Sequence, residues 1–353
     1  MKKISDFLKK KKIKLSLKTY GIDAMSAMAQ GLFASLLIGT ILNTLGTQFA
    51  IPILNQIGGF ASSVKGAAMA VAIGYALNAP GLVLFSLATV GYAADTLGGA
   101  GGPLAVLFIA IISSELGKLI SKETKVDILV TPLVTILSGC LLSIYFAPYI
   151  GTAANYVGNA IMWATVQEPF VMGIIVSVVI GIALTLPISS AAICAALSLT
   201  GLAGGAALAG CCCQMVGFAV MSYKENKFGG LLAQGIGTSM LQMGNIVKNP
   251  KIWIPTILSS AICGPIATCI FKLEMNGAAI SSGMGTCGLV GQIGVYTGWI
   301  NDISNGLKAS ITPFDWIALF MISFVLPAII TLIFSEILRK IGWIKKNDLK
   351  LDI

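Results

Sequence analysis

Histidine is absent from the 353 residues, and charge is scarce: 23 Lys and Arg stand against 14 Asp and Glu, 10% of the chain. The first absence excludes any mechanism in which this chain supplies an imidazole base, a phosphohistidine or a histidine metal ligand. The second excludes a surface covered by water, since soluble domains carry about 25% charged residues. A soluble enzyme, a nucleic-acid-binding domain and a secreted disulfide scaffold fall with it. The remaining charges are clumped, leaving charge-free intervals at 24–64, 66–94, 96–114, 128–167, 169–223, 228–247, 252–271, 275–301 and 316–335. A bilayer-crossing helix needs roughly 20 apolar residues. With 56% hydrophobic residues, the chain reads as an all-α polytopic membrane protein whose solvent is the lipid bilayer.

The net charge of +9 is concentrated at the two ends. Lys2, Lys3, Lys9 to Lys12, Lys14 and Lys18 precede the first apolar run; Arg339, Lys340, Lys345, Lys346 and Lys350 follow the last. The positive-inside rule then puts both termini in the cytoplasm and requires an even number of crossings. No aromatic platform accompanies the lysines, so nucleic acid is not an expected partner; anionic headgroups are. No short apolar core with a cleavage site marks a signal peptide.

Apolar runs predict about ten spans, at 26–45, 62–78, 80–97, 103–121, 128–147, 169–187, 191–221, 252–271, 278–298 and 314–335. Thr152–Thr165, with Asn155, Tyr156, Asn159 and Trp163, suits an interfacial amphipathic helix. Phe228–Val247 differs from every span. It combines five glycines with Gln234, Thr238, Ser239, Gln242 and Asn245, which would make a poor lipid-facing helix because glycine weakens helices and amides resist desolvation. Irregular backbone at membrane depth is tolerated where it lines a cavity, so the stretch reads as a re-entrant hairpin beside a polar solute. The eight cysteines, Cys211-Cys212-Cys213 among them, all lie in apolar segments without metal-site spacing. They read as small packing residues, and neither a metal nor a cofactor is expected.

Carboxylates inside a bilayer are costly and default to functional candidates. Three stand out: Asp95, Glu115 with Lys118 three residues on, and Glu168. Pro169 biases Glu168 away from the helical region, and Gln167 beside it adds an amide that donates and accepts. Two roles stay open for Glu168, a ligand carboxylate or a cap at the membrane surface. Glu168-Pro-Phe-Val-Met-Gly-Ile-Ile-Val176 and Ser239-Met-Leu-Gln-Met-Gly-Asn-Ile-Val247 share a register that hints at an internal repeat, which brackets binding sites in transporters.

Several segments together carry a family resemblance. They are Ile112-Ser-Ser-Glu-Leu-Gly-Lys-Leu-Ile-Ser-Lys122, Asp127-Ile-Leu-Val-Thr-Pro-Leu-Val-Thr-Ile-Leu137, Ala147-Pro-Tyr-Ile-Gly-Thr-Ala153, Gly235-Ile-Gly-Thr-Ser239 and Asn249-Pro-Lys-Ile-Trp-Ile-Pro255. The chain resembles the integral-membrane enzyme IIC component of the bacterial phosphotransferase system, and within it the branch named for the perfringolysin regulator. The resemblance implies a homodimer in the bacterial cell membrane. Residues 19–150 would be a scaffold-like half behind a basic segment 1–18. Residues 151–300 would be the substrate-site half, and 301–353 the last helix and a basic tail.

The same resemblance implies a small polar, sugar-like solute and a separate cytoplasmic IIB/IIA phosphorelay. Two departures stand against it. The family's Gly-Ile-x-Glu-Pro carboxylate is replaced by Thr238 and Ser239, and the substrate-contacting histidine is missing, with Leu184-Thr-Leu-Pro-Ile-Ser-Ser190 in its region. No residue is therefore assigned a catalytic role. Substrate-binding candidates are Glu168, Gln167, Thr238, Ser239, Gln242, Asn245, Ser189 and Ser190. A permease working with a IIB protein is the first reading. A non-phosphorylating membrane sensor or regulator, or a facilitator for a non-sugar solute, are the alternatives.

Overall fold

A computed structural model of the chain describes residues 7–351 apart from 9, 15, 17 and 166. Lys2, Lys3 and Lys9 of the basic N-terminal segment lie outside the described residues. Helix dominates, and among the described residues no strand forms; one isolated bridge joins Gly201 to Met275. The chain divides into two compact units, residues 1–153 and 154–353.

Unit 1 holds α1 (Lys18–Thr47), α2 (Pro52–Ser63), α3 (Lys65–Ala76), α4 (Gly81–Gly98), α5 (Gly102–Ile120) and most of α6 (Asp127–Thr165). Proline opens α2 at a position that needs no N–H donor; α2 and α3 meet at a 47° bend. Gly99 reverses the chain between α4 and α5. Its φ of +52° and ψ of −120° suit only a residue without a Cβ, and the two helices pack on each other. The intramembrane charges of this unit are paired: Lys65 Nζ sits 3.1 Å from Asp95, and the buried Lys118 sits 3.0 Å from Glu115 while also donating to Leu77 O. Asp95 and Glu115 are thus tied into ion pairs.

On α6 the apolar Leu129, Leu133, Leu137 and Leu141 face outward, whereas Thr131, Thr135 and Ser143 are buried and donate to Asp127 Oδ1, Thr131 O and Gly139 O. That arrangement, apolar outside and hydroxyls satisfied inside, is what hydrocarbon solvent selects. The separate interfacial helix expected at 152–165 is instead the last stretch of α6, which runs 39 residues through Pro132 and Pro148. Thr152 Oγ1 donates to Pro148 O, helping to carry the helix past the proline.

Unit 2 holds α7 (Pro169–Thr185), α8 (Ser190–Ala196), α9 (Gly201–Met221), α10 (Tyr223–Leu232), α11 (Met243–Lys248), α12 (Pro250–Ile270), α13 (Val290–Ser304) and α14 (Pro313–Lys340). Six helical stretches among the described residues are long and apolar enough to cross a bilayer, or seven if bent α2 and α3 form one span. This is fewer than the ten spans hydropathy predicts. One of the six, Gly81–Ile120, contains the reversal at Gly99. The rest of the gap is α7, apolar but only 17 residues long, and the run 278–298. The latter begins as 3₁₀ turns before α13 starts at Val290, whereas the expected span 191–221 divides into α8 and α9 and still supplies one crossing, Gly201–Met221.

Candidate functional site

The centre of unit 2 is α9, Gly201-Leu-Ala-Gly-Gly-Ala-Ala-Leu-Ala-Gly-Cys-Cys-Cys-Gln-Met-Val-Gly-Phe-Ala-Val-Met221, buried along nearly its whole length. Its small side chains let neighbours approach to backbone contact. Gly173, Ser177 and Gly181 make a ridge on α7 at i, i+4 and i+8, and Ser177 Oγ donates to Ser260 O of α12 at 2.7 Å. The three helices α7, α9 and α12 form one tight bundle.

Around α9 lie three segments that leave regular helix: residues 186–189, 233–242 and 279–289. The second comprises a π turn at Ala233–Gly237, an extended Thr238 and a 3₁₀ turn at Ser239–Gln242. The third contains Gly285 with φ +56°, its α-carbon facing Cys211. These segments are tied to one another. Thr286 Oγ1 donates to Gly235 O at 2.5 Å, and Ser190 Oγ to Gly283 O at 2.7 Å. Irregular backbone clustered inside a helical membrane unit is the arrangement that carriers use to expose polar groups at depth.

Where α7 ends against α9, a buried polar cluster forms. Gln214 Oε1 accepts from Trp253 Nε1 (2.8 Å), Thr256 Oγ1 (2.9 Å) and Thr185 Oγ1 (3.2 Å). Thr185 also shares a hydrogen bond of 2.8 Å with Ser239. Gln214 and Ser239 are fully buried. Gln214 lies seven residues before the end of α9 at Met221, so the cluster sits about 10 Å inside that end. It contains hydroxyls, an amide and an indole, and no titratable group.

Beside it runs a ladder of amides. Gln234 Nε2 donates to Ser222 Oγ (2.8 Å), Gln242 Nε2 to Gln234 Oε1 (2.8 Å), and Asn245 Nδ2 to Gln242 Oε1 (2.9 Å). The chain after α14 folds back onto this ladder. Gln242 Nε2 reaches Leu349 O (3.0 Å), Asn245 Nδ2 reaches Lys350 O (2.8 Å), and Asn226 brackets the tail by donating to Leu349 O and accepting from Leu351 N, both at 2.8 Å. Ile344, Leu349 and Leu351 are buried beneath it. The amides of Gln242 and Asn245, expected to face a solute, are occupied by the tail's backbone. Deleting residues 342–353 should leave these amides to water. Hydrogen exchange of the 222–253 backbone is then expected to rise about tenfold, an opening cost lowered by about 1.4 kcal/mol.

The other expected site residues are dispersed. Glu168 is exposed, stands at the N-cap of α7 and makes no side-chain capping bond. Gln167 Nε2 donates to Trp163 O. Thr268 Oγ1 donates to Pro169 O, placing the start of α7 beside the far end of α12. The 17 residues of α7 put Glu168 about 25 Å from Thr185 and Ser239. Ser189 accepts from Ala192 N as the N-cap of α8, Ser190 is used by Gly283, and Thr238 accepts from Met240 N. Ser239 is therefore the expected residue that the structure brings into the Gln214 cluster. Thr185, Gln214, Trp253 and Thr256 are not among the expected site residues, although Thr185 lies in the 184–190 segment and Trp253 in the 249–255 segment noted above. The available signal was a lone glutamine in a 21-residue apolar helix, which in hydrocarbon must find partners. Cys211, Cys212 and Cys213 are buried, with Cys212 Sγ accepting from Gln292 Nε2 at 3.5 Å. Among the described residues no three potential ligands converge on a metal position.

Long apolar helices in both units, with polar broken segments inside unit 2, define a multi-pass membrane protein. The family model described as "Phosphotransferase system, EIIC" matches residues 22–351. The chain belongs to that family and is a membrane permease component of the phosphotransferase system. Sugar-like substrates and IIB partners go with the family in general. No curated protein and no solved structure matches the chain.

Proposed function

We propose that unit 2 binds a small polar, sugar-like solute and moves it across the bacterial membrane, with unit 1 as scaffold in a homodimer. In this reading the chain makes ten passes, both termini are cytoplasmic and residues 228–247 are re-entrant. The observation that carries it is the buried Thr185–Ser239–Gln214 cluster where broken segments meet a central helix. Hydroxyls and amides both donate and accept, as a polyhydroxylated solute requires. Thr238 would join this site directly, and Gln242 and Asn245 once the tail releases them. Ser189, Ser190, Gln167 and Glu168 would line other points of the path.

A specific observation favours a second reading, a sensor or regulator that keeps the fold without chemistry, as in the perfringolysin-regulator branch. Phosphoryl transfer relies on positioning and charge stabilisation, and the inner cluster holds neither a carboxylate nor a cation. Glu168, the carboxylate best suited to substitute, belongs to the opposite end of α7.

Reconstitution in liposomes separates these. Sugar phosphate released only when the soluble phosphorelay proteins are present supports the phosphorylating permease. Uptake of free sugar without them supports a facilitator, and binding without uptake a sensor. In the same assay Glu168→Gln is expected to change uptake by no more than about twofold, since a rim carboxylate contributes little to a distant inner site. A loss of tenfold or more would make Glu168 a solute-binding carboxylate and not merely a residue at the rim of the path.

A further inference from the structure

We infer that unit 2 carries a second solute site, a cavity of about 370 Å³ at the end opposite its tail, that receives a neutral polyhydroxylated molecule before it reaches the inner cluster. The inference rests on the carrier reading above. Helix directions within the unit establish the cavity's position. α12 begins at Pro250, next to Asn249, which donates to Trp343 O of the tail, and α14 ends at Lys340 on the same side. Both helices run from there to Ile270 and Pro313, where the cavity opens among the 271–276 loop, the end of α13 and the start of α14. With the tail in the cytoplasm, this is the outer face.

The lining has the chemistry of a sugar subsite. Its volume falls at the small end of ligand pockets, which span roughly 300–1,000 Å³. Trp299 forms a wall, nearly buried and held edge-on against Trp316 at 5.3 Å and 82°; a rigid indole of this kind accepts the apolar C–H face of a ring at low entropic cost. On the same lining, Asn276 Nδ2 donates to Glu274 Oε2 (3.0 Å) and to Asp302 Oδ2 (2.9 Å), leaving Glu274 Oε1 and Asp302 Oδ1 as acceptors. Lys308 is committed to Asp315 at 2.8 Å. Lys272 has no partner among the described residues and supplies a donor at the same rim. An anion would meet two carboxylates, whereas hydroxyls can donate to both carboxylates and accept from Lys272.

The loop is also fastened to the core. Asn276 Oδ1 accepts from Gly201 N at 3.1 Å, and Gly201 and Met275 exchange backbone hydrogen bonds of 3.1 and 3.0 Å. A solute gripping Asn276 and Glu274 therefore acts on the first residue of α9, the helix that carries Gln214.

The test uses the full-length protein in liposomes with glucose, mannose, galactose, fructose and glucitol as probes, and choline and inorganic phosphate as charged controls. Lys272 and Glu274 are exposed and can be changed without opening the core. For a sugar that is taken up, Lys272→Ala and Glu274→Gln are each expected to raise the KM about tenfold with the maximal rate unchanged, the loss of one hydrogen bond to a charged group. Ser239→Ala, at the inner cluster, should instead lower the maximal rate. Tryptophan emission of the wild type should respond to that sugar and lose the response in Lys272→Ala. The entry site is overturned if KM stays within about twofold in both variants, or if choline or phosphate elicits the emission response and no probe sugar does. Absence of uptake of every probe would count against the carrier reading alone, because the emission titration still decides whether the cavity takes a sugar.

Discussion

Replacing Gly210 with alanine is expected to cost unit 2 much of its stability. A Cβ at that position would lie 1.8 Å from Ser177 O and 2.5 Å from Ser177 C. The obstruction is backbone, so no side-chain rotation relieves it. α7 would have to move off α9, and α7 also carries the Ser177–Ser260 hydrogen bond into α12. Overpacking a well-packed core costs typically about 1–3 kcal/mol. A contact shared by three helices belongs at or beyond the top of that range. Thermal unfolding in detergent should show a lowered Tm or loss of the folded species. Gly229→Ala is the matched control: nothing lies within 4 Å of a Cβ built there, and alanine favours helix over glycine by about 1 kcal/mol. If both variants unfold alike, the close approach of α7 and α9 is not what holds the unit together.

Gln214→Leu is expected to be the second costly change, and the one that separates stability from transport most clearly. Leucine fits the space but accepts no hydrogen bond, so the indole of Trp253 and the hydroxyls of Thr185 and Thr256 lose their common acceptor. Thr256 can still donate to Trp253 O and Thr185 can still pair with Ser239, whereas among the described residues Trp253 Nε1 has no other acceptor. The unsatisfied donors should cost about 2–4 kcal/mol. Uptake should fall below detection, because Thr185, the partner of Ser239, loses the Gln214 acceptor that orients it. Adding Trp253→Phe removes the stranded indole N–H. The double variant should recover part of the stability, a coupling readable in a double-mutant cycle, without recovering uptake. Strictly additive losses would mean that Gln214 and Trp253 do not share one cluster.

The main membrane helices of unit 2 were legible from hydropathy alone. Apolar runs at 169–187 and 252–271 became α7 at Pro169–Thr185 and α12 at Pro250–Ile270, because hydrocarbon solvent forces a long apolar segment into helix. The run at 278–298 misled for the opposite reason. Its apolar content is high, but Gly283, Gly285 and Gly288 punctuate it, and backbone freedom outweighed hydropathy in the first half. Glycine and amides at 228–247 correctly marked irregular backbone. What they could not convey is what the amides face, since the tail that occupies Gln242 and Asn245 lies more than a hundred residues further on. Glu168 illustrates the same limit. Pro169 signals a helix start, which is where Glu168 stands, yet which end of α7 adjoins Ser239 depends on helix direction, and direction is a long-range property. Gln214 is legible from the cost of an unpaired amide in hydrocarbon, as the one amide among the glycines, alanines and cysteines of α9.

The return of the tail across the amide ladder has an evolutionary and practical side. Asn226, Gln242 and Asn245 grip it through main-chain atoms, Leu349 O, Lys350 O and Leu351 N, and every residue except proline offers the same main chain. Outward-facing tail positions such as Lys346 and Lys350 are therefore free to drift in identity, while the three amides that read them are not. Sequence divergence within the tail and invariance of its receptor would be two marks of a single interaction, and a peptide linker appended after Ile353 should be accepted as long as the residues up to Leu351 keep their place.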